Sequence, residues 1–212
     1  MSTGLADARE RLRRARLYLV VEAAAEQMLP AALRGGVDMV QLRDKRGDDD
    51  AILTAAARFR SICDEHGALL WLNDRPDLAL AAGVDGVHVG QDDLPVADVR
   101  DQVGEALLIG LSTHSPAQFD AALGSEADQL SVGPVWETPT KEGRPAAGLS
   151  YVRHAAEHGG DRPWFAIGGI ARENVAEVVA AGARRIVVVR AIRDAADPEA
   201  AAAELRAALE LT

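Results

Sequence analysis

The chain has 212 residues, of which 48% are hydrophobic and 26% charged, and its formal net charge at pH 7 is −10. This length fits one large domain or two small ones, and the apolar content is enough to fill a sizeable core. The negative charge argues against a nucleic-acid-binding surface and against an anionic membrane as partner, so a phosphate ligand would need a local group of cations.

Short apolar runs alternate with longer segments of helical periodicity from one end of the chain to the other. The runs predict eight strands, at residues 17–21, 37–42, 68–72, 84–89, 107–111, 129–132, 164–167 and 186–189. Helical spacing of apolar residues is clearest at residues 49–66, 174–181 and 198–211. Three similar stretches, GGVDMVQL, AGVDGVHV and AGARRIVVV, place glycine between a helical segment and a β-branched run. This is expected where a helix ends and a buried parallel strand follows.

Repeated strand–helix alternation without a Pro- or Ser-rich linker predicts an α/β fold, a single-domain (β/α)8 TIM barrel over residues 17–212. An open doubly wound sheet is the alternative. However, no Gly-x-Gly-x-x-Gly follows the first strand, and so many units in a short chain favour closure. Residues 1–16 are predicted to be an N-terminal extension, either a disordered arm or a helix under the barrel floor. Active-site residues are then expected at the C-terminal ends of the strands.

The N-terminal residues and the length of the apolar runs predict where the protein is located. Residues 1–16 are polar and charged, without the apolar segment of a signal peptide, and no apolar run approaches the ~18 residues of a membrane span. We therefore expect a cytoplasmic protein. Cys63 is the only cysteine, so no intramolecular disulfide can form. Its apolar helical surroundings favour a small core residue over a reactive thiol.

The second predicted strand ends in Gln41-Leu42-Arg43-Asp44-Lys45. Alternation along a strand points Gln41, Arg43 and Lys45 to the same side. Two cations and an amide in one cavity are costly unless an anion meets them, so the pattern favours a phosphate or pyrophosphate site. The alternative is a solvated loop with an Arg43–Asp44 contact.

Carboxylates follow the third and fourth predicted strands. Asn73 and Asp74 end one apolar run, and Asp93 lies just beyond the next. Two carboxylates at neighbouring strand ends, leaving room for water and substrate phosphate, suit Mg²⁺. Helix capping and turn formation are the alternatives for these residues. His88, inside an apolar strand, is expected to be a hydrogen-bonded barrel histidine rather than a metal ligand.

Polar and glycine-rich segments follow the last four strands. Ser112-Thr113-His114-Ser115 opens a helix, where hydroxyls either bind an anion or form an ordinary cap. His114 is a candidate general acid or base. The long loop from residue 133 contains Thr138, Thr140 and Lys141, which suit closure over a phosphate, with a flexible surface loop as the alternative.

The seventh strand ends in Gly168-Gly169 and the eighth in Val189-Arg190. The loops after these two strands are the usual phosphate site of such barrels. Glycines there expose backbone N–H groups, which can donate to an anion.

Together these segments resemble the thiamine-phosphate synthase family. The matching blocks run in order from about residue 17 to 192: VQLRDK, NDRPDLALAAGVDGVHVGQDDLP, IGLSTHS, SVGPVWETPTK, FAIGGI and VVVRAI. Single blocks such as IGGI are common among barrels, but the ordered combination is specific. The resemblance implies a transferase that joins a pyrimidine diphosphate to a thiazole phosphate, or its carboxylated tautomer. Thiamine phosphate and pyrophosphate are the implied products, and Mg²⁺ is the implied cofactor.

The resemblance also implies roles by position. Residues implied to bind the pyrimidine diphosphate or to act in its departure are Gln41, Arg43, Lys45, Asn73, Ser112 and Lys141, with Ser112 at the pyrimidine. The implied Mg²⁺ ligands are Asp74 and Asp93. Residues implied to face the thiazole phosphate are Thr138, Thr140, Gly169, Val189 and Arg190. The groups expected to act in catalysis are Arg43, Lys45, Ser112 and Lys141.

In this family the pyrophosphate is thought to depart first, leaving a cation on the pyrimidine methylene to which the thiazole nitrogen adds. That nucleophile carries no proton to remove, so no general base is needed, and the sequence shows no obvious nucleophile–base pair. One departure stands out, because the family commonly has Ser where this chain has Arg190. Either Arg190 adds a phosphate contact, or it points to a surface carboxylate and only its backbone serves the site.

Two other functions compete with this interpretation. A thiazole tautomerase-like barrel would need a proton-transferring residue, for which His114 is the candidate. A non-catalytic thiamine-pathway binding module would be indicated by loss of a metal carboxylate or of Lys141, and neither is lost. We expect small-molecule substrates and neither a nucleic acid nor a membrane as partner, and association into a homo-oligomer is left open.

Overall fold

A computed structural model of the chain describes residues 3–138 and 145–210. Within these ranges, eight parallel strands close into a barrel in chain order. The strands are β1 (Leu17–Val21), β2 (Met39–Leu42), β3 (Leu69–Asn73), β4 (Gly86–Val89), β5 (Leu108–Thr113), β6 (Gln129–Val132), β7 (Trp164–Ile167) and β8 (Ile186–Val188). Strand β1 pairs with both β2 and β8, which closes the sheet. The predicted (β/α)8 barrel is confirmed, and the open-sheet alternative is wrong.

Helices surround this barrel. They are α1 (Thr3–Arg14), α2 (Leu29–Arg34), α3 (Asp49–His66), α4 (Pro76–Ala79), α5 (Val96–Val103), α6 (Pro116–Leu123), α7 (Gly148–His158), α8 (Val175–Ala180), α9 (Arg190–Arg193) and α10 (Pro198–Glu210), with 3₁₀ helices at Ala23–Met28 and Gly104–Ala106. Helix α3 has the predicted bounds. It begins after Asp48, whose side chain accepts from the Ala51 N–H, and ends at Gly67 in the left-handed conformation, with φ 65°. Residue 211, the predicted end of the last helix, lies outside the described residues.

Several strands begin later than predicted because an aspartate forms the turn before them. Asp38 Oδ2 accepts from the Leu17 N–H at 2.9 Å, and Asp85 Oδ2 accepts from the Leu70 N–H at 2.7 Å. Each carboxylate therefore bonds to the backbone of the preceding strand, and β2 and β4 start only after it. Strands β3 and β5 end later than predicted, because backbone pairing continues through the polar residues Asn73 and Thr113.

The hydrophobic core has two parts. One lies between the barrel wall and the surrounding helices. The other fills the barrel interior and includes Tyr18, Trp71 and Phe165. The ring centroid of Tyr18 lies 6.2 Å from that of Trp71 and 5.7 Å from that of Phe165. These side chains form a packed interior of the kind expected in a TIM barrel.

Helix α1 adds to this interior core. Its residues Ala8 and Leu12, and Ala15 just after it, belong to the interior cluster, and Leu12 is only 1% exposed. Arg9 Nε also lies 3.0 Å from Asp128 Oδ1. Of the two alternatives for the extension, the described part adopts the packed helix rather than the disordered arm.

The prediction for Cys63 is confirmed. Its side chain is fully buried in the outer core, and burial raises the pKa of the thiol to about 12. Among the described residues, no helix has both the length and the apolar character needed to span a bilayer.

Candidate active site

A cavity of about 330 Å³ lies among the loops at the carboxyl ends of the strands. Its volume is in the range of small-molecule sites. Eight of the predicted site residues line it, namely Gln41, Arg43, Asn73, Ser112, Thr138, Gly169, Val189 and Arg190. Thr140 and Lys141 lie outside the described residues.

Gln41 and Arg43 form the part of the wall that comes from β2 and its loop. Gln41 is buried, and its Nε2 donates to Tyr18 Oη at 2.6 Å, which fixes the amide. Arg43 is partly buried and lines the cavity, as strand alternation predicts. Asp44 Oδ1 accepts from the backbone N–H groups of Arg46 and Gly47. The Asp44 carboxylate thus shapes its own turn, while Arg43 borders the cavity.

The prediction that alternation brings Lys45 into one cavity with Gln41 and Arg43 is wrong, because β2 ends at Leu42; Lys45 lies instead beside the predicted metal carboxylates. Its exposed side chain places Nζ 3.7 Å from Asp74 Oδ2. Asp74 has φ 58°, a conformation rare for residues other than glycine. Its backbone N–H donates to the carbonyl of His88 at 2.8 Å, which holds Asp74 at the end of β4.

The carboxylates of Asp74 and Asp93 lie close enough to interact directly. Burial raises the pKa of Asp74, and the neighbouring charge of Asp93 raises it further, whereas Asn73 and Lys45 oppose the rise. Like charges brought together in this way are stabilised by a cation between or beside them. The donor chemistry therefore fits a hard cation. Within residues 3–138 and 145–210, no group of three or more His, Cys, Asp or Glu side chains is placed to hold a metal.

Helix capping and turn formation were the alternative roles for these carboxylates, and the structure supports only a turn role, for Asp93. The residue that precedes α4 is Arg75, with no side-chain cap, and the residue that precedes α5 is Pro95. Neither Asp74 nor Asp93 therefore caps a helix. Asp93 does have a turn role, because its Oδ2 accepts from the Gly90 N–H at 2.7 Å. A turn role and a metal role are compatible, since a carboxylate has further lone pairs.

The opposite wall is built from the loops after β7 and β8. Gly168 and Gly169 have φ 106° and 67°, so this turn needs glycine. Asn174 stabilises this glycine turn. Its Nδ2 donates to the Gly169 carbonyl and its Oδ1 accepts from the Ala171 N–H, both at 2.9 Å.

Arg190 is exposed, begins α9 and lines the cavity, as does Asp194 one turn later. The pKa of Asp194 is lowered mainly by its hydrogen bond with Arg193 and in small part by the charge of Arg190. Arg190 thus lies near a carboxylate that another arginine already pairs.

Histidines occupy two positions at the site. His88 is buried, with Nε2 2.9 Å from Ser112 Oγ and Nδ1 2.8 Å from Gln129 Nε2. The prediction of a hydrogen-bonded barrel histidine is confirmed. His114 lines the cavity and its Nδ1 lies 2.8 Å from the Gly133 carbonyl oxygen.

Two polar residues of this region, Tyr18 and Gln129, were not among the predicted site residues. Tyr18 lines the cavity, and burial raises the pKa of its hydroxyl. Gln129 is fully buried behind His88. The signal that could have identified both is a polar group inside a strand that is otherwise apolar, since buried polar groups require partners.

The closed barrel, and the cavity at its carboxyl end with a few polar side chains in a largely apolar lining, define a TIM-barrel enzyme that acts on a small molecule. Comparison with known families matches residues 17–192 to thiamine monophosphate synthase. A thiamine-phosphate synthase of Acidothermus cellulolyticus is 54% identical over 215 residues, which cover 99% of this chain and 98% of that protein. One from Thermus thermophilus is 53% identical over 198 residues, covering 90% and 95%.

Solved structures agree. Thiamine phosphate pyrophosphorylase from Pyrococcus furiosus matches with a TM-score of 0.86 at 30% identity, covering 95% of this chain and 98% of that one. A 3-hexulose-6-phosphate synthase, with a TM-score of 0.68 and 19% identity, shares the fold. The chain belongs to the thiamine monophosphate synthase family. It is accordingly an enzyme, a transferase of thiamine biosynthesis with thiamine-phosphate synthase function.

Proposed function

We propose that the enzyme joins a pyrimidine diphosphate to a thiazole phosphate, or its carboxylated tautomer, and releases thiamine phosphate and pyrophosphate with the help of Mg²⁺. The observation that carries the proposal is the pair Asp74 and Asp93 beside Lys45, since Asn73, which precedes Asp74 in the chain, lines the cavity together with Arg43. This arrangement offers a cation site and cationic groups next to each other. A diphosphate is the ligand that uses both.

The pyrimidine diphosphate is assigned to the side of the cavity formed by the loops after β2 to β5. Arg43 supplies a planar fork for phosphate oxygens, and Lys45 supplies a point charge. Asn73 adds an amide, and Ser112 faces the pyrimidine ring. Lys141 is assigned to the same diphosphate on the basis of the family resemblance.

Asp74 and Asp93 are the residues proposed to hold Mg²⁺. Two protein carboxylates leave most of the octahedral positions for water and phosphate oxygens, as is usual for this ion. When bound, Mg²⁺ would neutralise charge on the diphosphate and make it a better leaving group. Lys45, 3.7 Å from Asp74, would help to stabilise the same negative charge.

The residues of the chain contribute electrostatic stabilisation and orientation. As the bond to the pyrimidine methylene breaks, negative charge accumulates on the departing pyrophosphate, where Arg43, Lys45 and Lys141 are proposed to stabilise it. The thiazole nitrogen then adds to the methylene cation. No proton has to be removed from this nucleophile, so the scheme needs no general base.

The thiazole phosphate is assigned to the opposite wall. Thr138 and Gly169 line the cavity there, together with Val189 and Arg190. Thr140 completes the set by family resemblance. Holding the two substrates on opposite walls would place the thiazole nitrogen and the pyrimidine methylene between them, which is the positioning that a two-substrate reaction requires.

Replacing a metal carboxylate tests the proposal. Asp93→Ala should lower kcat at least ~100-fold, since metal-assisted departure of a leaving group is worth several kcal/mol. The Mg²⁺ concentration that gives half-maximal rate should also rise. Asp92→Ala is the matched control, because Asp92 is the adjacent exposed aspartate and is not assigned to the metal. Full activity of Asp93→Ala would remove Asp93 from the metal site.

A further inference from the structure

Three buried polar side chains form a hydrogen-bonded row that ends at the cavity. Gln129 Nε2 of β6 lies 2.8 Å from His88 Nδ1 of β4, and His88 Nε2 lies 2.9 Å from Ser112 Oγ of β5. Gln129 is 0% exposed, and His88 and Ser112 are each 6% exposed. His88 and Ser112 line the cavity, whereas Gln129 lies behind them.

The strand register explains how two side chains from non-adjacent strands meet. His88 of β4 pairs with Gly110 of β5, and Gly110 pairs in turn with Gln129 of β6. Because Gly110 has no side chain, Gln129 and His88 come together over it. A Cβ atom at Gly110 would overlap both Gln129 Nε2 and His88 Nδ1. The contact is therefore built into the barrel wall.

The chemistry of the three side chains determines which group donates and which accepts in each hydrogen bond of the row. In this structure the Gln129 amide nitrogen is turned toward His88, and since it can only donate, His88 Nδ1 accepts; the Gln129 amide oxygen is buried and makes no hydrogen bond with the described residues. A neutral imidazole then carries its proton on Nε2, which donates to Ser112 Oγ. The Ser112 hydroxyl has accepted from His88, so its own proton is directed away from the histidine. Ser112 borders the cavity, so it faces the ligand as a hydrogen-bond donor.

We propose that Gln129 and His88 are positioning residues that fix the Ser112 hydroxyl as a donor to an acceptor nitrogen of the pyrimidine ring. This inference rests on the proposed function, because it takes Ser112 as the contact to the pyrimidine. It adds a basis for specificity. A ring with C–H in place of that nitrogen would leave the proton of the buried Ser112 hydroxyl without an acceptor, which is a costly arrangement.

The direction of the row can be measured without any substrate. A long-range proton–nitrogen correlation spectrum of the protein with isotope-labelled histidine reports which ring nitrogen carries the proton. The His88 signals are assigned by their loss in His88→Gln. We expect the proton on Nε2. A proton on Nδ1 would reverse the row and overturn the inference, whether or not the enzyme makes thiamine phosphate.

The effect on specificity is measured with pyrimidine diphosphates in which one or the other ring nitrogen is replaced by C–H. For the wild-type enzyme, one of these analogues should have a KM higher by roughly 10- to 100-fold, the cost of an unpaired buried group. Ser112→Ala should accept that analogue and the normal substrate with similar KM. Equal KM values for the wild-type enzyme with both analogues would contradict the donor role of Ser112.

Gln129→Met tests the positioning role, since methionine has a similar volume and no amide donor. It should raise the KM for the pyrimidine diphosphate and weaken discrimination against the C–H analogue, while the KM for the thiazole phosphate stays unchanged. Tyr151→Phe is the matched control, because it removes a different buried hydrogen bond, to Thr113 Oγ1 at 2.6 Å, beside Ser112 in β5. If Gln129→Met and Tyr151→Phe both discriminate like the wild type, Gln129 has no positioning role.

Discussion

At the residue scale, Arg190 is proposed to change the charge of the thiazole-phosphate site. It introduces a cation where the thiamine-phosphate synthase pattern commonly has a serine, and it lines the cavity. The nearby carboxylate of Asp194 already pairs with Arg193, at 2.6 Å and 3.0 Å. Arg190 therefore has charge to offer an incoming anion. Arg190 was predicted either to bind the phosphate or to point to a surface carboxylate. The pairing of Asp194 with Arg193 favours phosphate binding.

Arg190→Ser should raise the KM for the thiazole phosphate by roughly 10- to 100-fold, because a charge-assisted hydrogen bond to phosphate is worth about 1.5–3 kcal/mol. The KM for the pyrimidine diphosphate should not change. Steady-state kinetics with each substrate varied in turn measures both values. Arg34→Ser is the control, since Arg34 is an exposed arginine that pairs with Glu199 and does not border the cavity. Unchanged thiazole-phosphate affinity in Arg190→Ser would leave only its backbone at the site.

Individual site residues were predictable where strand alternation and chain order decide their direction. Gln41 and Arg43 follow from alternation, and Asp74 follows from its place after a strand. The partners of His88 could not be predicted in the same way. These partners depend on the register of three strands and on the absence of a side chain at Gly110. The register of strands cannot be predicted from a single sequence.

At the scale of elements, helix α1 is the part whose contribution the sequence left open. It packs Leu12 into the interior core, with 1% of the residue exposed. The helix is amphipathic, and burying one face against the barrel stabilises it in a way that its isolated sequence cannot. This explains why a polar, charged segment is ordered.

Leu12→Ala should lower the free energy of unfolding by about 2–5 kcal/mol, the usual cost of truncating a buried leucine. Urea denaturation followed by circular dichroism measures the change. Asp7→Ala, on the same helix but exposed, should change it by less than about 0.5 kcal/mol. Equal stabilities of Leu12→Ala and the wild-type protein would mean that α1 contributes little to the core.

Cys63 of α3 should titrate and react only after unfolding. Burial raises the pKa of its thiol from 9.0 to about 12, so the folded state favours the protonated form. The resulting stabilisation is fully present below pH 9.0 and is lost as the pH rises towards 12. Iodoacetamide labelling in native buffer and in urea measures the reactivity. Equally fast labelling in both conditions would show that Cys63 is accessible in the folded protein.

Element types were predictable because apolar runs and helical spacing alternate so regularly, and helix α3 even has its predicted bounds. Strand ends were less predictable for a physical reason. Asp38 and Asp85 bond to neighbouring backbone and delay the start of their strands. Conversely, Asn73 prolongs a strand past its last apolar residue, because backbone pairing does not require an apolar side chain.

At the scale of the whole molecule, a chain of net charge −10 is proposed to bind anionic substrates. The barrel topology resolves this conflict by bringing residues distant in sequence to one end. Arg43 and Arg190 both border the same cavity, and Lys45 lies beside Asp74, with Nζ 3.7 Å from Oδ2. The proposed Mg²⁺ at Asp74 and Asp93 would add further positive charge. Local electrostatics can thus outweigh the global field at short range.

Pyrophosphate release by the purified enzyme tests the central claim most directly. The protein is incubated with Mg²⁺ and with the pyrimidine diphosphate, the thiazole phosphate, or both, and pyrophosphate is followed over many turnovers. We expect sustained release only with both substrates, matched by an equal amount of thiamine phosphate, and its loss when Mg²⁺ is chelated. Tight binding of both substrates without pyrophosphate release would contradict the account and indicate a binding module instead.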